Sequence, residues 1–179
     1  DASQNTNVTG GTPGVYLITV IAEDPGNLTG QTTVQYTIAN PAPVAADDAL
    51  AIDEGDGTVS GDVFAANGGS PDTDPDGDIF SVRSVGGTIG NVGTATAGTP
   101  GSLGGGAGLF TIEANGSVTF DENGEFEYLA AGETATSTMT YEITDADSGV
   151  SNTATVTVTI TGGNDDPVVS TPTLDQTYV

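Results

Sequence analysis

The sequence predicts an all-β chain built of antiparallel β-sandwich modules. Three observations lead there. Several segments alternate apolar and polar residues with the period of two that half-buried strands require. Glycine (27) and proline (9) punctuate the 179 residues often enough to turn the chain between short strands. No segment of useful length repeats its apolar residues at helical spacing. Hydrophobic residues make up 35% of the chain and aromatic residues 6%, so a core must be thin, as it is between two facing sheets.

Taken in order, the first strand is VYLITVIA from Val15, apolar on both faces and therefore predicted as a central strand. In TTVQYTI, Val34, Tyr36 and Ile38 face one way and Thr33, Gln35 and Thr37 the other. SVTF near residue 117 and FEYL near residue 126 are shorter strands. In FEYL the apolar face is Phe126 and Tyr128, which sends Glu127 to solvent. Met139, Tyr141 and Ile143 share a face in TMTYEIT. Ala154, Val156, Val158 and Ile160 alternate with threonines in TATVTVTIT. Asn115-Gly116 and Asn123-Gly124 suit tight hairpin turns, because both residue types tolerate positive φ.

An internal repeat sets the domain plan. VYLITVIAEDPGNLTGQTTVQYTIANPAP has a counterpart in MTYEITDADSGVSNTATVTVTITGGNDDP. Each is a strand, an acidic glycine-containing turn, a threonine-rich strand and then Asn-x-x-Pro. The two Asn-x-x-Pro elements begin at Asn40 and Asn164, a domain-sized 124 positions apart. Residues 1–39 are thus expected to be the end of a preceding domain and 40–163 a complete domain. Residues 164–179 are expected to be a linker and the opening strand of the next, with Val168, Val169, Leu174 and Tyr178 its apolar residues. Neither end supplies enough strands to bury its own apolar residues, so each is expected to need further polypeptide. Residues 86–108, with ten glycines, form a flexible or loosely paired insertion, either a plain surface loop or a binding loop.

Charge narrows the function. Twenty-five acidic residues face a single basic one, Arg83, for a net charge of −24. Self-repulsion of this size opposes the compact state unless cations intervene. Nucleic-acid binding is excluded, since phosphate neutralisation needs Lys and Arg. With no Cys and no His, disulfides, zinc fingers and thiol or imidazole catalysis are excluded too. No apolar run reaches transmembrane length. Paired carboxylates can hydrolyse glycosides, but here the acids fall on turns and linkers and there is no Trp platform. The chain is expected not to be an enzyme.

The acids cluster. Asp72-Thr73-Asp74-Pro75-Asp76-Gly77-Asp78 opens like an EF-hand loop, but position twelve would be Arg83 and no helices flank it, so it is read as a calcium turn between strands. Asp145-Ala146-Asp147-Ser148-Gly149 lies in the turn between two strands, as does its counterpart Glu23-Asp24-Pro25-Gly26. Asn164-Asp165-Asp166-Pro167 marks a linker, and Asp53-Glu54-Gly55-Asp56 comes early in the full domain. Hard oxygen ligands without Cys or His point to Ca²⁺ over Mg²⁺, which demands stricter geometry.

FEYLAAGETATSTMTYEITDADSGVSNTATVTVTITGGNDDPVV resembles the C-terminal half of a VCBS-type bacterial cadherin-like repeat, and PVAADDALAIDEGDGT with DTDPDGD its N-terminal half. The resemblance covers about residues 41–169. GGTPGVYLITVIAEDPGNLTGQTTVQYTIANPAPV resembles the end of a bacterial immunoglobulin-like repeat. It implies antiparallel Greek-key sandwiches of the cadherin/immunoglobulin-like type in tandem, as in large secreted adhesins, often of the RTX type, stiffened by calcium between modules. It further implies where ligands gather. Asp72, Asp74 and Asp145 would meet the linker that starts at Asn40, with Asp76 and Asp78 as additional ligands and Asp147 in the same turn as Asp145. Glu54 and Glu133 would meet Asn164, Asp165 and Asp166. NPAP lacks the acidic pair of NDDP, for which Asp47 and Asp48 compensate.

The expected role is a calcium-stiffened extender of an extracellular, cell-surface adhesin, with neighbouring repeats of the same polypeptide as partners. The alternatives are a module that binds cell-surface or matrix polysaccharide through the glycine-rich insertion, and a subunit of an extracellular filament or surface layer. Membrane insertion is not expected.

Overall fold

Strands form where the alternation runs longest. In this computed structural model, which describes residues 13–101 and 105–165, β10 (Thr134–Asp145) and β11 (Ala154–Thr161) pair as an antiparallel hairpin with Tyr141 opposite Ala154 and Ser137 opposite Val158. The period of two sends Met139, Tyr141, Ile143, Val156, Val158 and Ile160 inward and the intervening threonines outward. The sheet is extended by β3 (Asp48–Asp53) beside β11 and by β5 (Phe80–Val85) on the far edge of β10. A two-residue strand, β7 (Thr99–Pro100), joins that same β10 edge further along. Opposite lies a four-stranded antiparallel sheet of β4 (Thr58–Asp62), β9 (Ser117–Asp121), β8 (Leu109–Ile112) and β6 (Thr96–Ala97), in that order. Phe110, Ile112, Val118 and Phe120 of this sheet meet the inner face of the first. Phe110 and Phe120 pack with ring centroids 4.8 Å apart. Each such fully buried side chain contributes about 1.5–3 kcal/mol.

One ladder departs from the antiparallel pattern: β3 runs parallel to β11, from Asp48 opposite Val156 to Asp53 opposite Thr161. The chain therefore enters the sandwich at one pole, near Asp48, and leaves it past Thr161 at the other.

Asn115-Gly116 turns β8 into β9 as expected. The Asn115 Oδ1 accepts the Ser117 N–H, and Gly116 has φ +90°, with the Phe64 ring where a Cβ would stand. FEYL is not a strand. It is a turn in which the Leu129 N–H donates to the Phe126 carbonyl (3.0 Å), so Phe126 and Leu129 are the buried pair and Tyr128 is exposed. Four residues with three apolar side chains fit either period, and the core selected the spacing of three.

The glycine-rich insertion is more tightly held than its composition suggests. A 3₁₀ turn at Ile89–Asn91 leads to β6 on one sheet and β7 on the other, so the segment spans the two sheets. The Gly98 N–H donates to the Gly108 carbonyl and the Gly101 N–H to the Thr136 carbonyl. The Glu125 carboxylate accepts the N–H groups of Ala107 and, more weakly, Gly108.

VYLITVIA becomes β1 (Gly14–Glu23), but it is one strand of a hairpin with β2 (Thr29–Ile38), not a central strand among the described residues. Val15 and Leu17 are 62% and 72% exposed on one face. On the other, Tyr16 lies opposite Tyr36 and Ile18 opposite Val34, also exposed. A two-stranded hairpin without a covering layer is marginal in water. Hydrogen exchange on the isolated chain is expected to show residues 15–38 losing protection at the earliest times while β10 and β11 remain protected. Strong protection of 15–38 in a demonstrated monomer would contradict this. The strand expected over residues 168–178 lies outside the described residues.

Candidate metal centres

At the N-terminal pole, the linker meets the β10–β11 turn and the 72–78 loop. The Asn40 Nδ2 donates to the Asp145 Oδ2 (2.9 Å), and the Asp145 Oδ1 accepts the Gly149 N–H (2.8 Å). A side chain at position 149 would collide with the Asp145 carboxylate and crowd the Ala42 backbone, so this glycine lets the linker lie against the turn. The Asp74 Oδ1 gathers the N–H groups of Asp76 (3.0 Å), Gly77 (3.1 Å) and Asp78 (3.2 Å). That closes the loop and fixes the carboxylate. Two acceptor oxygens are left buried with no partner: the Asp74 Oδ2 and the Asn40 Oδ1.

The charges at this pole are in conflict. The Asp76 carboxyl is pushed up to about 6, first by the adjacent Asp74 carboxyl, while Asp74 is held low by the same neighbour. Burial raises Asp78, followed by its neighbours Asp147, Asp74 and Asp145. Carboxylates so placed must hold protons or a cation. Orphaned acceptors and an oxygen-only donor set fit a hard divalent cation such as Ca²⁺.

At the C-terminal pole, the Glu54 Oε2 accepts the Gly163 N–H (2.8 Å), and the Glu54 Oε1 is buried without a partner. Glu54, Glu127 and Asp165 each place a carboxylate oxygen within 4.8 Å of the others. Glu122, buried, holds the turn that carries Glu54 by accepting the N–H groups of Gly55 (3.0 Å) and Gly57 (3.1 Å).

Residues 40–162 match the family model described as the bacterial cadherin-like domain. The chain belongs to this family. No curated protein matches it. Bacterial cadherin-like domains occur in extracellular proteins, as repeat modules of adhesin type, and such sandwiches are generally structural rather than enzymatic. No helix among the described residues is long and apolar enough to cross a membrane.

Within the cadherin-like domain, the expected ligands separate into three groups. Asp74, Asp76, Asp78, Asp145 and Asp147 come together at the N-terminal pole. Glu54 and Asp165 come together at the other, while Asn164 is exposed beside them and Asp166 lies outside the described residues. Glu133 does not join that trio: its Oε2 accepts the Ala130 N–H (3.1 Å) and closes its own turn. Glu127, read from the sequence as a solvent-facing strand residue, takes the third place instead. It is exposed as expected, but in a turn set by the burial of Phe126 and Leu129, which brings it beside Glu54, and period-two reading hid that.

Asp72 also parts from Asp74. Thr73 bridges to Val44, and beyond it the two carboxylates find different partners: Asp72 accepts the Ala46 N–H (2.7 Å), while Asp74 accepts the N–H groups of its own loop. Asp72 turns inward and, with Asp48, surrounds the Tyr141 hydroxyl. Five oxygens lie within 3.3 Å of that hydroxyl: the Ala46 and Val63 carbonyls, the Asp48 Oδ2 and both Asp72 carboxylate oxygens. The hydroxyl has one proton to donate. Burial pushes Asp48 up to about 6 and raises Asp72, and burial with these two neighbours raises the Tyr141 phenol well above its usual value. Asp47, by contrast, accepts the Thr155 N–H (2.8 Å) and tacks the incoming chain to β11.

Proposed function

We propose that this chain is a calcium-stiffened extender segment of a large secreted bacterial adhesin of the VCBS and RTX kind. The observation that carries the reading is the placement of orphaned, buried carboxylate or amide oxygens at both poles, where the chain enters and leaves the sandwich. A cation at either pole ties linker to domain: Asn40 is a linker residue hydrogen-bonded to Asp145, and Asp165 is a linker residue beside Glu54. With both linkers held, consecutive modules keep a fixed angle and the arm extends instead of folding back. On this reading residues 1–39 close a preceding immunoglobulin-like repeat, 40–163 are one complete repeat and 164–179 begin the next. The bare apolar faces of the β1–β2 hairpin support the first of these assignments. The partners are neighbouring repeats of the same polypeptide, at the cell surface.

Calorimetric calcium titration of single variants tests the two poles separately. Asp74→Ala is expected to weaken one class of sites tenfold or more, and Glu54→Ala or Glu127→Ala the other, by the loss of a charged oxygen ligand. Glu113→Ala, at an exposed turn, serves as the control. Glu127→Ala behaving like the control would remove that residue from the site. Wild-type affinity in all three variants would refute the reading.

A further inference from the structure

β5 and β7 approach the same edge of β10 from opposite ends and do not meet. β5 pairs with residues 141–145 and β7 with residues 137–138. The gap between them is a cavity of about 300 Å³. Its lining includes Gly86, Met139, Asn91 of the 3₁₀ turn, Thr96, Thr99 and Thr138. Asn91 Nδ2 donates to the Val85 carbonyl (3.2 Å), which leaves the amide oxygen as an acceptor. No lining residue is charged, on a chain of net charge −24.

The same neutrality continues outward. The outer face of β10 and β11 carries threonines in opposed pairs: Thr134 with Thr161, Thr136 with Thr159, Thr138 with Thr157 and Thr140 with Thr155. Ala49 and Ala51 extend the rows onto β3 beside Thr157 and Thr159. Carboxylates border the track at Glu142 (paired with Arg83), at Asp53 and at Asp47, whose Oδ1 accepts the Thr155 N–H. Each threonine sets a hydroxyl beside a methyl with a stiff χ1, so the track is amphipathic on the scale of a sugar ring.

We propose that this cavity and its threonine track bind a neutral polysaccharide chain. The chemistry selects among occupants. A cation finds no carboxylate in the lining. An anionic polymer is repelled by the net charge, and Arg83 is already engaged by Glu142 at 2.9 Å. A second copy of this chain meets the same repulsion. The Thr96 and Thr138 hydroxyls already donate to the Thr94 and Thr99 carbonyls, so what they and Asn91 offer a ligand is acceptor oxygens, which a wholly apolar occupant would cover without pairing. An uncharged polyol donates its own hydroxyls to those oxygens and rests its C–H face on the threonine methyls. The cavity matches the lower end of small-ligand sites, about 300 Å³. The site uses no ion, so it stands or falls independently of the calcium reading.

The test is an amide chemical-shift titration of the full chain in calcium, with neutral glucan, mannan and galactan oligosaccharides, and with hyaluronan oligosaccharides of matched length as the acidic counterpart. The expected result is shifts at Gly86, Thr99, Thr138 and Thr140 with at least one neutral class and none with hyaluronan. Thr138→Val, which keeps strand propensity and shape but removes a hydroxyl, is expected to weaken that binding about fivefold. If that variant shifts the melting temperature, Thr99→Val, on the exposed two-residue strand, takes its place. Absence of shifts at these amides with every neutral oligosaccharide at about 10 mM, where even weak sites of this size bind, would overturn the proposal. So would unchanged affinity in both variants, or shifts at these amides that track protein concentration without any glycan.

Discussion

With calcium in hundredfold excess over its dissociation constant, at about pH 7.5, adding a chelator is expected to lower the melting temperature by about 15 °C. Two sites, each about 2.7 kcal/mol at that saturation, give roughly 5 kcal/mol, and a domain of this size loses about 3 °C per kcal/mol. The sites respond because the unliganded poles leave the Asp74 Oδ2, Asn40 Oδ1 and Glu54 Oε1 buried without partners. At about pH 5 the same addition is expected to cost much less. Asp76, raised to about 6, is then protonated, and its proton stands in for part of the ion's charge. An unchanged melting temperature on chelation at moderate salt and about pH 7.5 would sink the calcium reading.

The second large effect is expected inside the sandwich, with opposite signs at neighbouring residues. Tyr141→Phe removes the one donor that five oxygens surround and should destabilise by about 2–4 kcal/mol, as loss of a partner leaves buried acceptors unsatisfied. Asp48→Asn supplies an N–H₂ group where acceptors are in excess and should stabilise by about 2 kcal/mol near neutral pH. Asp48 has a folded pKa of about 6, above its unfolded value of about 3.9. Its contribution is therefore fully present below about pH 4 and is lost as pH rises through about 6. In chelator, the wild type should weaken across that window and Asp48→Asn should weaken less, since Asp76, also raised to about 6, titrates in both. Urea unfolding at pH steps measures both. Destabilisation by Asp48→Asn in calcium, reversed in chelator, would instead place a cation beside Tyr141.

The strands of the main hairpin were legible because TMTYEIT and TATVTVTIT alternate for whole strand lengths, and one register alone buries Tyr141 and Val156. The Asn115-Gly116 turn was legible because its chemistry is local. The parallel pairing of β3 with β11 was not, since it joins residues more than a hundred positions apart and leaves no mark on either segment. The candidate sites were legible as composition and illegible as geometry. Acids at turns pointed to cation chemistry, yet Asp72 and Asp74, two positions apart, serve different places, because Asp72 closes on the Ala46 N–H and the Tyr141 hydroxyl and Asp74 on the N–H groups of its own loop, partners that no local pattern reveals. Glu127 was missed because its position depends on a turn that only the packing of Phe126 and Leu129 decides. Glu122 was missed because a carboxylate that holds backbone N–H groups looks like any other acid in a sequence.

The parallel ladder between β3 and β11 has a mechanical meaning. Tension applied through the two linkers pulls the first and last strands of the domain in opposite directions along their own axes. The hydrogen bonds between them lie across the line of force, so the rungs from Asp48–Val156 to Asp53–Thr161 are loaded in shear and must yield together. An antiparallel pair pulled from one end would peel rung by rung at far lower load. A tether assembled from such domains would keep its length under flow until a threshold tension, then lengthen by whole domains.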